Sequence, residues 1–268
     1  MKVLCIINLK GGVAKTISAV NISHILATKH GKRVLLIDND KQGNTSKFFK
    51  MHDYADPSLA DVLTSKDPSM LQKTIKHTEY DTLHVLPANM NLLRADKEIL
   101  LDVSRPQQTR LKKALQTMER GGNAYDYVVI DCAPDLNMSV INAFVAAGDV
   151  LIPIKVDRFA FDGLDQLQEQ IKETREFNPT LCIAGGFITM YTRNNVNIQG
   201  KQYLEQSAGI PMFKTVIRKT VKVDETTFAG VPLLRYARNS TAARDYDALV
   251  SEYLQNVADS STNKGSGT

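Results

Sequence analysis

The sequence predicts an α/β domain built on one mostly parallel, twisted β-sheet flanked by helices on both faces. Three observations point there. Six short apolar runs recur along the chain, each nearly continuous rather than alternating, as strands buried on both faces require. Segments of helical spacing lie between them, and strand–helix alternation builds a parallel sheet through right-handed crossovers. The chain has 268 residues, 43% hydrophobic and 23% charged, which suits one large core, and it carries no internal repeat or dividing linker.

The first run, Val3–Ile7, leads into a Gly-Gly loop and a helix from about Thr16. The second, Val34–Ile37, ends in a cluster of Asp and Asn residues. His52 to Pro57 has the composition of a surface loop, and Leu83–Leu86 is the third run. Arg120 to Asn123 forms another loop before Tyr127–Ile130, and Val150–Ile154 follows. Leu164, Leu167 and Ile171 then recur at three and four residues, the stripe of a helix packed on a sheet. After Gly186–Thr189, the same spacing returns at Tyr246, Leu249 and Tyr253, with Ser240 placed as the N-cap of that last helix. From Asp259 to Thr268 the residues are small and polar with nothing to bury. The expectation is one domain over 1–258 and a disordered tail over 259–268.

Composition excludes several classes. Three scattered cysteines, Cys5, Cys132 and Cys182, give neither a disulfide framework nor zinc spacing, and none of the five histidines pairs with Cys or carboxylates at ligand spacing. No apolar stretch approaches the roughly 20 residues of a membrane span. The N-terminal run breaks at Gly-Gly where a signal peptide would stay apolar. A cytoplasmic, reducing compartment is expected. Net charge is +4, from 33 Lys+Arg against 29 Asp+Glu, too small to diagnose nucleic-acid binding by itself.

The sharpest feature is Asn8-Leu-Lys-Gly-Gly-Val-Ala-Lys-Thr16, between the first strand and first helix. Gly11 and Gly12 let successive backbone N–H groups point into one concavity, and the helix that follows adds its N-terminal dipole to the same anion. Lys15 would neutralise the β- and γ-phosphates of a nucleotide, and the Thr16 hydroxyl would ligate Mg²⁺. The ordinary expression G-x-x-x-x-G-K-[ST] fails twice, because Leu9 and Ala14 occupy its glycine positions.

The loop does match K-G-G-x-x-K-[ST] in full, and so resembles the ParA/MinD family of P-loop ATPases. The resemblance implies a P-loop NTPase fold, ATP and Mg²⁺ as cofactors, and a nucleotide site over Lys10, Gly11, Gly12, Val13, Ala14, Lys15, Thr16 and Ile17. It also implies that Lys10 reaches across a homodimer to the partner's nucleotide. Most relatives carry Gly at Ala14 and a second hydroxyl at Ile17.

Two carboxylate segments support the loop. Leu36-Ile-Asp-Asn-Asp-Lys-Gln-Gly-Asn-Thr45 ends the second run, and in a parallel sheet the carboxyl ends of strands meet in one crevice. Asp38 and Asp40 are therefore candidates for metal and water contacts. The segment is similar to the family's D-x-D-P-Q-G-N, which implies that Asp40 orients the attacking water, with Lys41 replacing proline. Tyr125-Asp-Tyr-Val-Val-Ile-Asp131 places Asp131 at a strand end, as in a Walker B motif, to hold Mg²⁺ through a bound water. The metal group is thus Thr16, Asp38 and Asp131, and the catalytic group Lys10, Lys15 and Asp40. Asp135 stands where relatives usually carry serine, and Arg218 where many carry a proline that packs on the base. The resemblance extends from about Met1 to Leu254.

Between Lys214 and Arg244 there are seven basic residues and two acidic ones. In partition ATPases of this type the region carries the non-specific DNA surface, so the resemblance implies Lys219, Lys222, Arg235, Arg238 and Arg244 as phosphate contacts. The tail carries no amphipathic helix, which disfavours a membrane, and the P-loop strand starts almost at Met1, which leaves no room for an operator-reading domain. The implied activity is a slow, Mg²⁺-dependent ATPase of DNA partition. It would dimerise on ATP, bind DNA without sequence preference in the nucleoid, and be stimulated by a ParB-like centromere-binding protein. The alternative is a nucleotide-gated positioning or regulatory ATPase that acts on a protein cargo, and a biosynthetic P-loop enzyme is a third class with no further acid–base constellation to support it.

Overall fold

The computed structural model describes residues 1–122, 124–157 and 162–265. In chain order the elements are β1 (Lys2–Ile6), α1 (Lys15–Thr28), β2 (Val34–Asn39), α2 (Asn44–Phe48), α3 (Leu59–Thr64), α4 (Met70–Thr74), β3 (Lys76–His77), β4 (Leu83–Leu86), α5 (Asn91–Leu101) and α6 (Arg110–Arg120). There follow β5 (Tyr127–Cys132), α7 (Met138–Ala146), β6 (Asp149–Lys155), α8 (Asp162–Thr174), β7 (Cys182–Thr189), α9 (Asn195–Ser207), α10 (Val221–Ala229), α11 (Leu233–Tyr236) and α12 (Thr241–Gly265).

All seven strands form one sheet in the order β3-β4-β2-β5-β1-β6-β7. Every pairing is parallel except β3 with β4. The six apolar runs are six of these strands. β3 escapes sequence reading because it is two residues long, half exposed, and built from Lys76 and His77.

The pleat divides the core in two. Val3, Cys5 and Ile7 of the β1 segment face one side, packed with residues of α3 and α5 to α8, while Leu4 and Ile6 face the other, packed with α1 and α12. Leu164, Leu167 and Ile171 of α8 are buried on the first side, and Tyr246, Leu249 and Tyr253 of α12 on the second. The Ser240 hydroxyl accepts the Ala243 amide proton at 3.2 Å, so it caps α12 as expected. That helix continues to Gly265, into the polar stretch expected to be without structure. No proline interrupts it there, and a helix already anchored by its packed turns propagates one bond per added residue. Residues 266–268 lie outside the described residues, as does Asn123 of the second loop. No helix among the described residues is long and apolar enough to cross a membrane.

β1 lies between β5 and β6. The loops that leave the carboxyl ends of β1, β2, β5 and β6 therefore share one edge of the sheet, where ligands of open α/β sheets bind.

Candidate functional site

The loop from β1 to α1 is pinned at both ends. Asn8 donates from its side chain to the Pro153 carbonyl at 2.9 Å and accepts the Lys10 amide proton at 2.9 Å. Thr189 of β7 donates to the Val13 carbonyl at 3.1 Å, and Val13 is buried. The backbone is left-handed at Gly12 (φ 69°), between these anchors, and again at Ala14 (φ 67°, ψ 30°), just past the second and the N-cap of α1. Such turns aim amides into one concavity. Nothing lies within 4 Å of the space a Cβ would take at Gly11 or Gly12, so the mouth of the loop is open. Ala14 takes a conformation that costs a non-glycine residue about 1–2 kcal/mol. The methyl group that distinguishes it from glycine thus puts strain on the loop.

Lys15 is buried and its ammonium donates to the Lys10 carbonyl at 2.7 Å, folded over the loop. Burial lowers its pKa, opposed by the charges of Asp131 and Asp40. Ile17 turns its side chain into the core under α1, so only its backbone faces the loop. The Lys10 ammonium pairs with Asp157 at 2.9 Å.

Asp38 and Asp131 face each other in register on β2 and β5. Burial drives both carboxyls above the usual carboxylate range. The neighbouring charge of Asp131 adds to the rise at Asp38, while the Thr16 and Thr45 hydroxyls hold Asp131 down. Asp38 accepts from the Ser46 amide and hydroxyl at 2.8 and 2.6 Å on one oxygen and from the Asp40 amide at 3.2 Å on the other. Asp131 accepts from Thr45 Oγ1 at 2.8 Å on Oδ2, but its Oδ1 is sealed from solvent with no hydrogen-bond partner. A buried anionic oxygen left this way is costly and is satisfied by a cation or by water held on one. The residues present therefore fit a hard cation. No cluster of three or more His, Cys, Asp or Glu side chains could hold a metal among the described residues. Mg²⁺ does not need one, since it keeps several waters and takes phosphate oxygens.

Asp40 caps the turn that starts α2, with its carboxylate accepting the Gln42 amide at 2.9 Å and its carbonyl the Gly43 amide at 2.9 Å. Sequence reading missed Thr45, Ser46 and Asp157. Thr45 and Ser46 lie five and six residues beyond Asp40, and the Gly43 turn into α2 is the signal that would have directed them back at the carboxylates. Asp157 carries no such signal.

The five expected phosphate contacts fall in separate places. Arg235, Arg238 and Arg244 line one cavity of about 490 Å³ with Lys29 and His24. Lys219 lines a smaller apolar slot of about 60 Å³ beside Ala14, with Met190, Ile217 and Tyr246. Lys222 pairs with Glu225 at 2.8 Å on α10. Arg218 also lines the slot and forms a bidentate pair with Asp245, 2.6 Å at its closest.

A family model described as an AAA domain matches residues 1–183. The sporulation initiation inhibitor protein Soj of Bacillus subtilis is 34% identical over 258 residues, spanning 95% of this chain and 99% of its own. The chromosome partitioning protein ParA of Caulobacter vibrioides is 36% identical over 262 residues, spanning 97% and 96%. The chain belongs to the ParA/MinD family of P-loop ATPases, on its Soj-like side. Among solved structures, cobyrinic acid a,c-diamide synthase from Mycobacterium smegmatis, with bound ATP analogue and magnesium, superimposes with a TM-score of 0.82 at 26% identity over 96% of both chains. The cell division ATPase MinD of Pyrococcus furiosus shares the fold, with a TM-score of 0.75 at 22% identity over 95% of this chain and 98% of its own. Lys41 and Asp135, two positions singled out in the sequence, meet in space, with Lys41 Nζ 2.7 Å from Asp135 Oδ2.

Proposed function

We propose that this ParA-type chain is a Mg²⁺-dependent ATPase of DNA segregation. ATP draws two copies into a homodimer, the dimer binds DNA non-specifically in the nucleoid, and a ParB-like centromere-binding protein stimulates hydrolysis and release into the cytoplasm. The single observation that carries the ATPase reading is the unpartnered, buried Asp131 Oδ1 beside an open loop whose only buried ammonium is Lys15.

The loop amides of Gly11 to Thr16 bind the phosphates. Lys15 leaves the Lys10 carbonyl for the β- and γ-phosphate oxygens, an exchange that favours its charged form. Thr16, Asp38 and Asp131 would form the cation group: the Thr16 hydroxyl and Asp131 would hold the cation, and Asp38 keeps the α2 loop in place by its bonds to Ser46. Mg²⁺, when bound, supplies charge neutralisation at the phosphoryl oxygens. Asp40 orients the attacking water. Lys10 exchanges Asp157 for the partner's γ-phosphate, which couples dimer formation to the triphosphate. The slot beside Ala14 takes the base, with Ile217 and Met190 as its apolar walls.

The cavity of Arg235, Arg238 and Arg244 supports the DNA reading, because none of the three pairs with a carboxylate among the described residues. Lys219, in the segment before α10, and Lys222 of α10 lie outside that cavity and are further phosphate contacts in this reading. Phosphate neutralisation of this kind binds duplexes without reading bases.

The test is steady-state ATP hydrolysis measured alone, with non-specific duplex, and with duplex plus the candidate partner protein. Slow basal turnover that rises most when both are present is expected. Turnover indifferent to DNA and partner, with unimpaired ATP binding, would favour a cargo-positioning ATPase instead.

A further inference from the structure

The loops that leave β2 and β5 run side by side from adjacent strands, joined at their base by the Ala133 amide donating to the Asn39 carbonyl at 3.1 Å. Above that base, one charged contact spans them: Lys41 Nζ to Asp135 Oδ2 at 2.7 Å. Both ends are placed where they matter. Lys41 directly follows Asp40, whose carboxylate and carbonyl build the turn into α2. Asp135 lies two residues before Asn137, the N-cap of α7, and its charge is a minor one among those that oppose the burial-driven lowering of the Lys15 pKa. Asp96 of α5 also feels both charges, and it accepts the Ser139 amide at 2.8 Å, so α7 is tied to the same group.

The pair is half exposed, 30% at Lys41 and 39% at Asp135. Exposed ion pairs of this kind contribute little to stability, so global folding is a poor account of it. Its charge bookkeeping is more telling. An unneutralised Asp135 on this loop would add negative charge to the site and repel a triphosphate. Lys41 cancels this charge and at the same time fixes the residue next to Asp40.

We propose that Lys41 is a positioning residue of the ATPase site: through Asp135 it clamps the Asp40 loop to the β5–α7 loop and shields the phosphate cradle from the Asp135 charge. The proposal rests on the ATPase reading above and on Asp40 as the water-orienting group. A clamp outside the reacting atoms affects turnover by alignment, where small misplacements are expensive. A shield affects ATP affinity by charge alone. The two effects separate in one set of variants.

The experiment is a double-mutant cycle over Lys41→Met, Asp135→Asn and the double variant, with Lys41→Arg as the conservative control and Asp40→Ala as the reference. Single-turnover hydrolysis with saturating Mg²⁺ and ATP, and equilibrium binding of a fluorescent ATP analogue, are read for each. Lys41→Met is expected to slow hydrolysis about tenfold and to weaken analogue binding several-fold. Asp135→Asn should slow hydrolysis similarly without weakening binding. The double variant should hydrolyse no more slowly than either single and recover the binding lost in Lys41→Met, and Lys41→Arg should retain both properties. Strictly multiplicative effects, or a Lys41→Met protein that matches the parent in both readouts, would overturn the proposal. A parent that never hydrolyses ATP would overturn the underlying ATPase reading, an Asp40→Ala protein that still does would remove Asp40 as the water-orienting group, and in either case the binding cycle would still decide the shielding role.

Discussion

Asp38 and Asp131 stand opposite each other on β2 and β5, both sealed from solvent, yet they are completed differently: Asp38 has donors on both oxygens, and Asp131 has one oxygen with none. The same side chain at the same register therefore serves two purposes. Asp38 organises the loop that carries Asp40. Asp131 holds an acceptor in reserve. Asp38→Asn should lower the thermal midpoint, since an amide nitrogen would face the Ser46 or Asp40 donors, at a cost of about 1–3 kcal/mol. Asp131→Asn should leave the midpoint without nucleotide equal or higher, because a buried charge is removed, yet abolish the upward shift produced by Mg²⁺ and ATP. Thermal unfolding with and without Mg²⁺-ATP distinguishes the two, and a retained Mg²⁺-ATP shift in Asp131→Asn would remove it from the cation group.

Lys10 and Asp157 set a second expectation. Their contact of 2.9 Å must break if Lys10 is to reach another subunit, and at 23% and 39% exposure solvent screens that contact. Lys10→Ala and Lys15→Ala should both remain monomeric in ATP, whereas Asp157→Asn should dimerise at least as readily as the parent. Light scattering behind size exclusion, in ATP and in ADP, reads this directly. A Lys10→Ala protein that dimerises normally in ATP would remove the trans contact.

How far the site could be read from the sequence follows from how local each signal is. The loop from Asn8 to Thr16 and the strand-end aspartates were legible because backbone turns and strand termini write themselves into consecutive residues. So were six of the strands. The two-residue β3 was not, since Lys76 and His77 carry no apolar pattern and are ordered by their partner β4. The bond from Thr45 to Asp131 spans 86 residues, and that from Ser46 to the Ala88 amide spans 42, distances over which composition says nothing. Lys41 and Asp135 were each visible as departures from the family. That they answer one another over 94 residues became visible only when β2 and β5 were paired.

Backbone strain around the site gives opposite expectations at two positions. Gly43 has φ 63°, and a Cβ there would lie 2.4 Å from His52 Cδ2 and 2.7 Å from the Ala88 carbonyl oxygen. Gly43→Ala should cost about 1–3 kcal/mol and displace the α2 loop. Ala14 already pays a left-handed penalty, so Ala14→Gly should relieve it, offset in part by the greater freedom of glycine in the unfolded chain, for a net gain below about 1 kcal/mol. Urea unfolding of the two variants tests both signs, and a Gly43→Ala protein as stable as the parent would contradict the close contact.

His24 makes the fold sensitive to acid. It is buried on α1, edge-on to Tyr80 at 4.6 Å, with Nδ1 unpartnered, and burial, aided by the charge of Arg235, lowers its pKa to about 4. An unfolded histidine titrates near 6.5. Between those values the unfolded chain binds the proton and the folded one does not, so stability rises with pH across this window. The contribution is fully present above about pH 6.5, is lost as pH falls toward 4, and is flat below, amounting to up to about 3 kcal/mol. His24→Gln should lose less stability than the parent between pH 7 and pH 4.5. Parallel pH profiles for the two proteins would assign the acid sensitivity elsewhere.

The arginine cavity yields the most quantitative expectation. Arg235, Arg238 and Arg244 come from α11, the turn after it and the first residues of α12, and they converge on one opening with Lys29, itself paired to Asp247 at 2.5 Å. If each arginine replaces counterions on one phosphate, the logarithm of the binding constant for duplex falls with the logarithm of salt by about 0.9 per contact. Arg238→Ala should therefore weaken ATP-dependent DNA binding equally for unrelated sequences and reduce that slope by about 0.9. Lys222→Ala, which removes a side chain already engaged by Glu225, should change the slope less. Binding isotherms on two unrelated duplexes across a salt series measure both numbers. A slope unchanged in Arg238→Ala but reduced in Lys222→Ala would move the DNA surface from the α11–α12 cavity to α10.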